Sequence, residues 1–275
     1  MKKKLTKIII LLILLVAFIW SQNEWLQTTE LTLTSSEIPT SFDGYRILQI
    51  SDLHNHRFGQ NQSRLLNAIE SANADLILVT GDTIDRRRFN LSPVEELVES
   101  FPLTPTYYVS GNHEVWSGKY DQVQAILDAG GWHCLDNASV TICKDEDCLQ
   151  LIGLMDPATR HQGDIETYSK KHLDALALED DSFTILMAHR PNPFPLYSQY
   201  PVDLVFSGHA HGGQFRLPFL GGLIAPDQGL FPEYTAGMHT LNETTMVVSR
   251  GLGNSIIPLR IFNQPELVVV TLKAN

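Results

Sequence analysis

Cysteine is scarce in this 275-residue chain, which has only Cys134, Cys143 and Cys148. So few exclude a disulfide-stapled scaffold in which bridges replace a core. No cysteine lies near the N-terminal apolar run for lipid attachment, and no twin arginine accompanies it. Basic charge is also thin beyond the N-terminus. The chain has 20 Lys+Arg against 31 Asp+Glu, and residues 1–20 contain four lysines and no acid. The remainder therefore holds 16 bases against 31 acids, a formal charge of −15. Such a body repels polyanions unless cations intervene, so no nucleic-acid partner is expected. Internal repeats and low-complexity tracts are absent.

What is present is ordinary globular material, 43% hydrophobic and 19% charged, with an unusual start. Lys2, Lys3, Lys4 and Lys7 precede an uncharged run, Ile8 to Trp20. A basic segment before a short apolar stretch is an export signal or a signal anchor. The run is shorter than the ~18–20 residues of a spanning helix, though Leu5 and the residues after Trp20 can lengthen it. No small-x-small pair precedes a cut near Ser21, which favours an uncleaved anchor over a cleaved peptide. Trp20 and Trp25 suit a membrane–water interface. The basic end should stay cytoplasmic, giving a single-pass protein of the cell's inner or cytoplasmic membrane with its body on the outer, periplasmic or extracellular side. The expected division is an anchor over 1–25, a stalk and first strand over 26–40, and one catalytic domain over 41–275. Oligomeric state is not legible.

Short apolar runs predict strands at Glu30–Thr34, Tyr45–Ile50, Leu76–Thr80, Thr106–Val109, Thr184–Ala188, Leu204–Phe206, Thr244–Val248 and Leu267–Leu272. Helical periodicity falls at Gln62–Ala72, Pro93–Glu99, Asp121–Ala129 and Glu166–Leu178. The alternation implies an α/β fold with parallel strand pairs. Cys143 and Cys148 flank Lys-Asp-Glu-Asp between two further strand-like runs, Ser139–Ile142 and Leu149–Leu154. A hairpin there sets the two side by side, and an oxidising compartment would let them bond. Two thiols facing each other unbonded is the alternative. Cys134 is left over and expected to be buried.

Five blocks carry the unusual residues: Ser51-Asp52-Leu53-His54, Gly81-Asp82-Thr83-Ile84-Asp85, Gly111-Asn112-His113-Glu114, Ala188-His189 and Gly208-His209-Ala210-His211. Each directly follows a predicted strand. Asp52 to Asp82 is 30 residues and Asp82 to Asn112 another 30, the length of one βαβ unit. Ligands of open α/β sheets bind beyond the carboxyl ends of the strands, so these side chains should converge there. Carboxylate, imidazole and amide oxygen suit Mn²⁺, Fe²⁺ or Zn²⁺, and the absence of cysteine from all five blocks argues against structural zinc. Singly, each block has a plain reading: Gly-Asp is a common turn, and a lone histidine after a strand is usually a satisfied core residue. Five in order, each on a strand end, are hard to read that way.

The set Asp-x-His, Gly-Asp-x-x-Asp, Gly-Asn-His-Glu, His and Gly-His-x-His resembles the calcineurin-like metallophosphoesterases. Gly212-Gly213-Gln214 and the later Gly251-Leu252-Gly253-Asn254-Ser255…Pro258-x-Arg260 resemble a narrower branch. That branch holds membrane-anchored or exported bacterial enzymes of the YkuE/YaeI type, among which UDP-diacylglucosamine pyrophosphohydrolases are included. The resemblance implies a four-layer α/β/β/α sandwich with two mixed sheets behind an N-terminal hydrophobic helix. It implies one metal on Asp52, His54 and His211, a second on Asn112, His189 and His209, and Asp82 bridging. Mn²⁺ is the expected ion. Two cations ~3.5–4 Å apart would acidify a bridging water and clamp the phosphoryl oxygens for in-line attack. His113, as imidazolium oriented by Asp85, would stabilise the leaving oxygen.

Other features leave alternatives open. Arg86, in the Arg86-Arg87-Arg88 run, reaches an anionic group or is solvated; Arg190 contacts phosphate or serves structure. His161 lines the site or lies on the surface, while His133 and His172 look incidental. Leu217–Ile224, apolar and broken by Gly and Pro, is a packed lid or a lipid-facing loop. The favoured function is hydrolysis of a phosphodiester or pyrophosphate bond in a lipid or cell-envelope substrate. A phosphomonoesterase or nucleotidase acting on soluble substrates is the alternative. A non-catalytic metal-binding scaffold is disfavoured, because it has no need of His113 and Asp85.

Overall fold

In the computed structural model, described for residues 2–159, 161–176, 178 and 182–275, the chain begins with helix α1, Lys2–Glu24. Among the described residues it is the one helix long and apolar enough to cross a membrane. Its candidate span is Lys3–Glu24, 22 residues, within which an 18-residue stretch has a mean hydropathy of 2.2. Helical structure thus extends past the apolar run at both ends.

Two six-stranded mixed sheets follow. The first contains β1 (Gln27–Ser35), β2 (Arg46–Ile50), β3 (Leu76–Val79), β4 (Thr106–Tyr108) and β5 (His133–Cys134). The second contains β6 (Ala138–Lys144), β7 (Asp147–Leu154), β8 (Thr184–Ala188), β9 (Leu204–Ser207), β10 (Gly237–Leu241) and β11 (Thr244–Val248). The last strand, β12 (Glu266–Ala274), returns to the first sheet, whose order is β1-β12-β2-β3-β4-β5; the second runs β10-β11-β9-β8-β7-β6. From β2 to β5 all pairs are parallel, as are β7–β8, β8–β9 and β9–β11. Residues 27–35, read as part of a stalk and first strand, are the edge strand of the first sheet, paired with β12 along their whole length.

The layering follows from strand alternation. Ile47, Leu76, Leu78, Val268 and Val270 of the first sheet meet Leu149, Leu151, Ile185, Met187 and Phe206 of the second in one buried cluster. Their neighbours Leu48, Ile50, Ile77 and Val79 face the other way, onto α2 (Ser63–Ser71), α3 (Ser92–Glu99) and α5 (Tyr120–Ala129), with the six-residue α4 (Asn112–Ser117) between α3 and α5. Ile152, Leu186, Val205 and Met246 of the second sheet pack on α6 (Gln162–Ala175) and the single turn α7 (Phe194–Tyr197). The result is the four-layer α/β/β/α arrangement. The predicted helix Glu166–Leu178 starts four residues earlier, as α6; its predicted last turn includes Ala177, which lies outside the described residues.

Cys143 and Cys148 are register partners at the end of the β6–β7 hairpin and are joined by a disulfide. Cys134 is half-buried rather than buried, and burial pushes its thiol up to about 12.

Candidate metal centre

The site straddles the two sheets. Asp52 and His54 follow β2, Asp82 follows β3 and Asn112 follows β4; His189 follows β8, and His209 and His211 follow β9. All seven are buried. Pairing continues beyond the strands, with Asp52 N donating to Gly81 O and His54 N to Asp82 O, both at 3.0 Å. Asp52, His54, Asp82, His209 and His211 all have φ between +46° and +63°. A non-glycine residue held in this left-handed region costs about 1–3 kcal/mol, and such residues cluster at functional sites.

Close packing explains two glycines of the motif blocks, Gly111 and Gly208. Gly111 has an ordinary φ of −97°. What it needs is space, since a Cβ there would lie 2.3 Å from Asp82 Oδ1. A Cβ on Gly208 would stand 2.4 Å from Asp52 Oδ2.

The donor atoms converge. His54 Nε2 is 3.1 Å from His211 Nε2, and Asp52 Oδ1 lies 3.7 and 3.4 Å from those two nitrogens. Across the centre, His189 Nε2 is 3.2 Å from His209 Nδ1. Asp82 Oδ2 sits between the groups, 3.5 Å from His54 Nε2 and 3.4 Å from His189 Nε2. Asp52/His54/His211 and Asp82/His189/His209 are each compact enough to hold an ion. The Asn112 carboxamide oxygen is buried without a hydrogen-bond partner among the described residues. Leaving such an acceptor bare costs about 1–3 kcal/mol, and a cation would satisfy it. Burial presses the His189 imidazole down, yet the Asp82 and Asp52 carboxylates outweigh it and hold the group up at about 10. The centre therefore favours positive charge. Nitrogen, carboxylate and amide oxygen donors without thiolate fit divalent ions of the Mn²⁺, Fe²⁺ or Zn²⁺ kind.

Supporting contacts set the donors. Thr80 O lies 2.7 Å from His189 Nδ1 and so takes its proton, turning Nε2 inward toward the centre. Asp227 Oδ2 does the same for His209, 3.0 Å from its Nε2. Glu114 is fully buried; its Oε1 accepts from Thr83 N, Thr83 Oγ1 and Ile84 N, and its Oε2 from Asp82 N and Gly111 N. One carboxylate thus ties the second and third motifs together. Glu114 was visible inside Gly-Asn-His-Glu but carried no assigned role. Asp227 had no signal, standing in an irregular Gly/Pro-rich stretch.

Three expectations change. His113 does stand at the centre, its ring 4.5 Å from that of His54. Its Nδ1, however, accepts from Arg86 N at 3.2 Å, while Asp85 Oδ1 is 3.4 Å away and is held by Arg87. Asp85 instead gathers Arg87 and Arg88, and against the effect of burial their donors bring its carboxyl to about 2. Burial pushes His113 down to about 4 despite nearby Asp82, so it is a neutral imidazole with its proton on Nε2 rather than an imidazolium. Arg190 does not face a substrate. It is 2% exposed and its guanidinium is gripped by Asp156 and Asp227. Arg86 stacks on the Trp116 ring, 4.5 Å from its centroid, at the wall of the cleft. His161 and His133 are exposed, and His172 lies on α6.

A cleft of about 210 Å³ opens onto Asp82, Asn112, His113, His209 and His211. Its rim includes Trp116, Asp227, Ser255 and Ile256. The Gly251–Arg260 segment backs it. Leu252 N and Gly253 N donate to the carbonyls of Ser51 and Asp52, Ser255 Oγ lies 3.4 Å from His113 Nε2, and buried Arg260 donates to Gly253 O at 2.6 Å. The Leu217–Ile224 stretch forms parts of two short hairpins (216–217 with 221–222, and 224–225 with 229–230) rather than a packed lid. Phe219 is fully exposed and Leu220 is 68% exposed.

Known proteins are similar to this chain in sequence. The chain is 33% identical over 259 residues to the uncharacterized metallophosphoesterase YkuE of Bacillus subtilis, covering 91% of this chain and 86% of that one. It is 28% identical over 235 residues to phosphodiesterase YaeI of Escherichia coli, covering 83% and 82%. It is also 28% identical over 263 residues to a transmembrane protein with metallophosphoesterase domain of Danio rerio, covering 90% of this chain and 57% of that longer protein. The family description "Calcineurin-like phosphoesterase" matches residues 45–213, the segment that carries all five motif blocks. With that match laid over a converged centre of these donors, the chain belongs to the calcineurin-like phosphoesterase family.

Proposed function

We propose that this metal-dependent hydrolase cleaves a phosphodiester or pyrophosphate bond in a lipid or cell-envelope substrate while held at a membrane by α1. One observation carries the catalytic part: Asp82 Oδ2 lies within 3.5 Å of a histidine nitrogen on each side, the position of a shared ligand. Two divalent cations, Mn²⁺ foremost, would supply an acidified water as nucleophile and positive charge for the phosphoryl oxygens. Asp52, His54 and His211 would hold one, Asn112, His189 and His209 the other, with Asp82 common to both. The chain's own groups then orient the reaction. Thr80 O and Asp227 keep one lone pair of His189 and of His209 turned inward. His113, steadied by Arg86 N, offers its Nε2–H to the leaving-group oxygen. Asp85 keeps the arginine turn folded beside it, and Arg86, stacked on Trp116, would serve a second anionic group of the substrate.

The lipid part rests on α1 and on the exposed apolar hairpins beside the cleft. Four lysines before the apolar run of α1 favour a cytoplasmic N-terminus and an outward catalytic domain. The Cys143–Cys148 bond suits an oxidising compartment. The test is an assay of the full-length, Mn²⁺-loaded protein on a long-chain lipid pyrophosphate, a soluble phosphodiester and a phosphomonoester. The lipid should be turned over fastest, and Phe219→Ser with Leu220→Ser should slow it while sparing the soluble diester. Turnover confined to the monoester would overturn the reading.

A further inference from the structure

The C-terminal end of α1 is built into the loops that back the cleft. Gln22 is buried, and its Oε1 accepts from Asn263 N at 3.2 Å. Asn263 Nδ2 in turn donates to the backbone carbonyl of His211 at 2.7 Å. Asn23 Oδ1 accepts from Arg260 N and Asn254 Nδ2, at 3.2 and 2.9 Å. Glu24 pairs with Arg64 of α2 at 2.6 Å. Only one residue, Asn263, separates the helix end from a candidate ligand.

A contact further up the helix sets a depth. The rings of Phe18 and Phe262 meet edge to face, with centroids 5.5 Å apart. Phe18 lies inside the apolar run that ends at Trp20, roughly 9 Å along the axis from Glu24 at ~1.5 Å per residue. A ring packed beside it stands at the level of hydrocarbon once α1 crosses a bilayer. Phe262 is 57% exposed. Ile256, on the same loop, is 74% exposed and lines the metal cleft. Hydrogen bonds join this loop to the first hairpin and the residues just before it: Arg216 N donates to Ile261 O and Gln214 Nε2 to the carbonyls of Ile257 and Leu259, while Phe231 N donates back to Leu223 O between the hairpins. Phe219, Phe231 and Phe262 all have positive φ, +69°, +51° and +51°. Bulky residues seldom take this conformation, and here each turns an aromatic ring outward instead of into a core.

We propose that residues 217–220, 230–231 and 256–262 form an apolar rim that inserts into the leaflet at the C-terminal end of α1 and seats the mouth of the metal cleft at the bilayer surface. Continuity with α1 through Phe18 and Phe262 selects the bilayer as the occupant. Tethering by α1 makes the insertion intramolecular, so a modest apolar area suffices. The proposal rests on α1 being retained as an anchor, and it gives the substrate's phosphate a route to the metals along the leaflet.

The test uses the full-length protein with Cys134→Ser, since Cys143 and Cys148 are joined to each other. Single cysteines replace Phe219, Phe262 or, as a control, Leu103, which is fully exposed in the loop before β4, away from the motif ends. Each is labelled with an environment-sensitive fluorophore and reconstituted in phosphatidylethanolamine–phosphatidylglycerol vesicles with and without brominated acyl chains. Emission at positions 219 and 262 should shift to the blue and fall at least twofold with brominated lipid, while position 103 stays unchanged. Quenching no greater at 219 than at 103 would overturn the proposal. So would a shift at 219 that vanishes at one chain per vesicle, which would assign the rim to a second copy. Quenching needs no turnover, so a rim that inserts in a protein inactive on lipid would sink the substrate reading alone.

Discussion

Glu114 is the most informative single substitution, because its carboxylate makes five contacts and every partner is a donor. Oε1 receives Thr83 N at 2.7 Å, Thr83 Oγ1 at 2.8 Å and Ile84 N at 3.2 Å; Oε2 receives Asp82 N at 2.9 Å and Gly111 N at 3.0 Å. Burial and nearby Asp82 raise its pKa, but only the ionised form can accept all five. Glu114→Gln keeps size and shape and replaces one oxygen with an NH₂. If the amide oxygen keeps the Thr83 and Ile84 donors, the NH₂ faces two N–H groups, those of Asp82 and Gly111. Each buried N–H left without an acceptor costs about 1–3 kcal/mol, so the variant should lose about 2–6 kcal/mol. Typical domains are stable by about 5–15 kcal/mol, so it should still fold. The freed groups belong to Asp82 itself and to the residue before Asn112, so metal retention should fall along with stability. Urea unfolding of the metal-free full-length protein in mild detergent, with elemental analysis of the reloaded protein, measures both. A loss below about 0.5 kcal/mol with full metal content would refute the reasoning.

His113→Asn should keep the metals and lower turnover of an alkyl phosphodiester by about 10²–10⁴-fold, and unchanged turnover of that substrate would remove His113 from the chemistry. Cys143→Ser with Cys148→Ser closes no new cavity and opens only a short loop. Chain entropy limits its cost to about 2 kcal/mol, and a larger fall in the unfolding midpoint would show that the β6–β7 hairpin needs the bridge. Alkaline phosphatase fused after Asn275 should be active in a bacterial host, whereas activity only from a cytoplasm-dependent reporter would reverse the proposed orientation.

The site was largely legible because its signals are local. Each motif block begins where an apolar run ends, and the 30-residue spacing from Asp52 to Asp82 to Asn112 reflects the βαβ units that bring β2, β3 and β4 into register. The second sheet's share, His189, His209 and His211, was readable for the same reason. What escaped depends on side chains meeting across the fold. Arg190 follows a candidate ligand and reads from sequence as a phosphate contact or a structural residue; Asp156 after β7 and Asp227 in the turn of the second hairpin close on its guanidinium and make it structural. Asp85 was paired with His113 by motif, while Arg87 and Arg88 of the arginine run after it supply nearer donors. β10 (Gly237–Leu241) mixes polar and apolar residues at a sheet edge and has no clear strand pattern; its partner β11 determines it. The exposure of Phe219 and its neighbours could be posed from sequence only as a choice, because irregular backbone has no period to say which way a side chain turns.

The account stands most directly on Asp82 as the ligand common to both ions. Elemental analysis of Mn²⁺-reconstituted full-length protein should find about two ions per chain in the wild type, about one in His54→Ala, and fewer than one in Asp82→Ala. About two ions per chain in Asp82→Ala would contradict it.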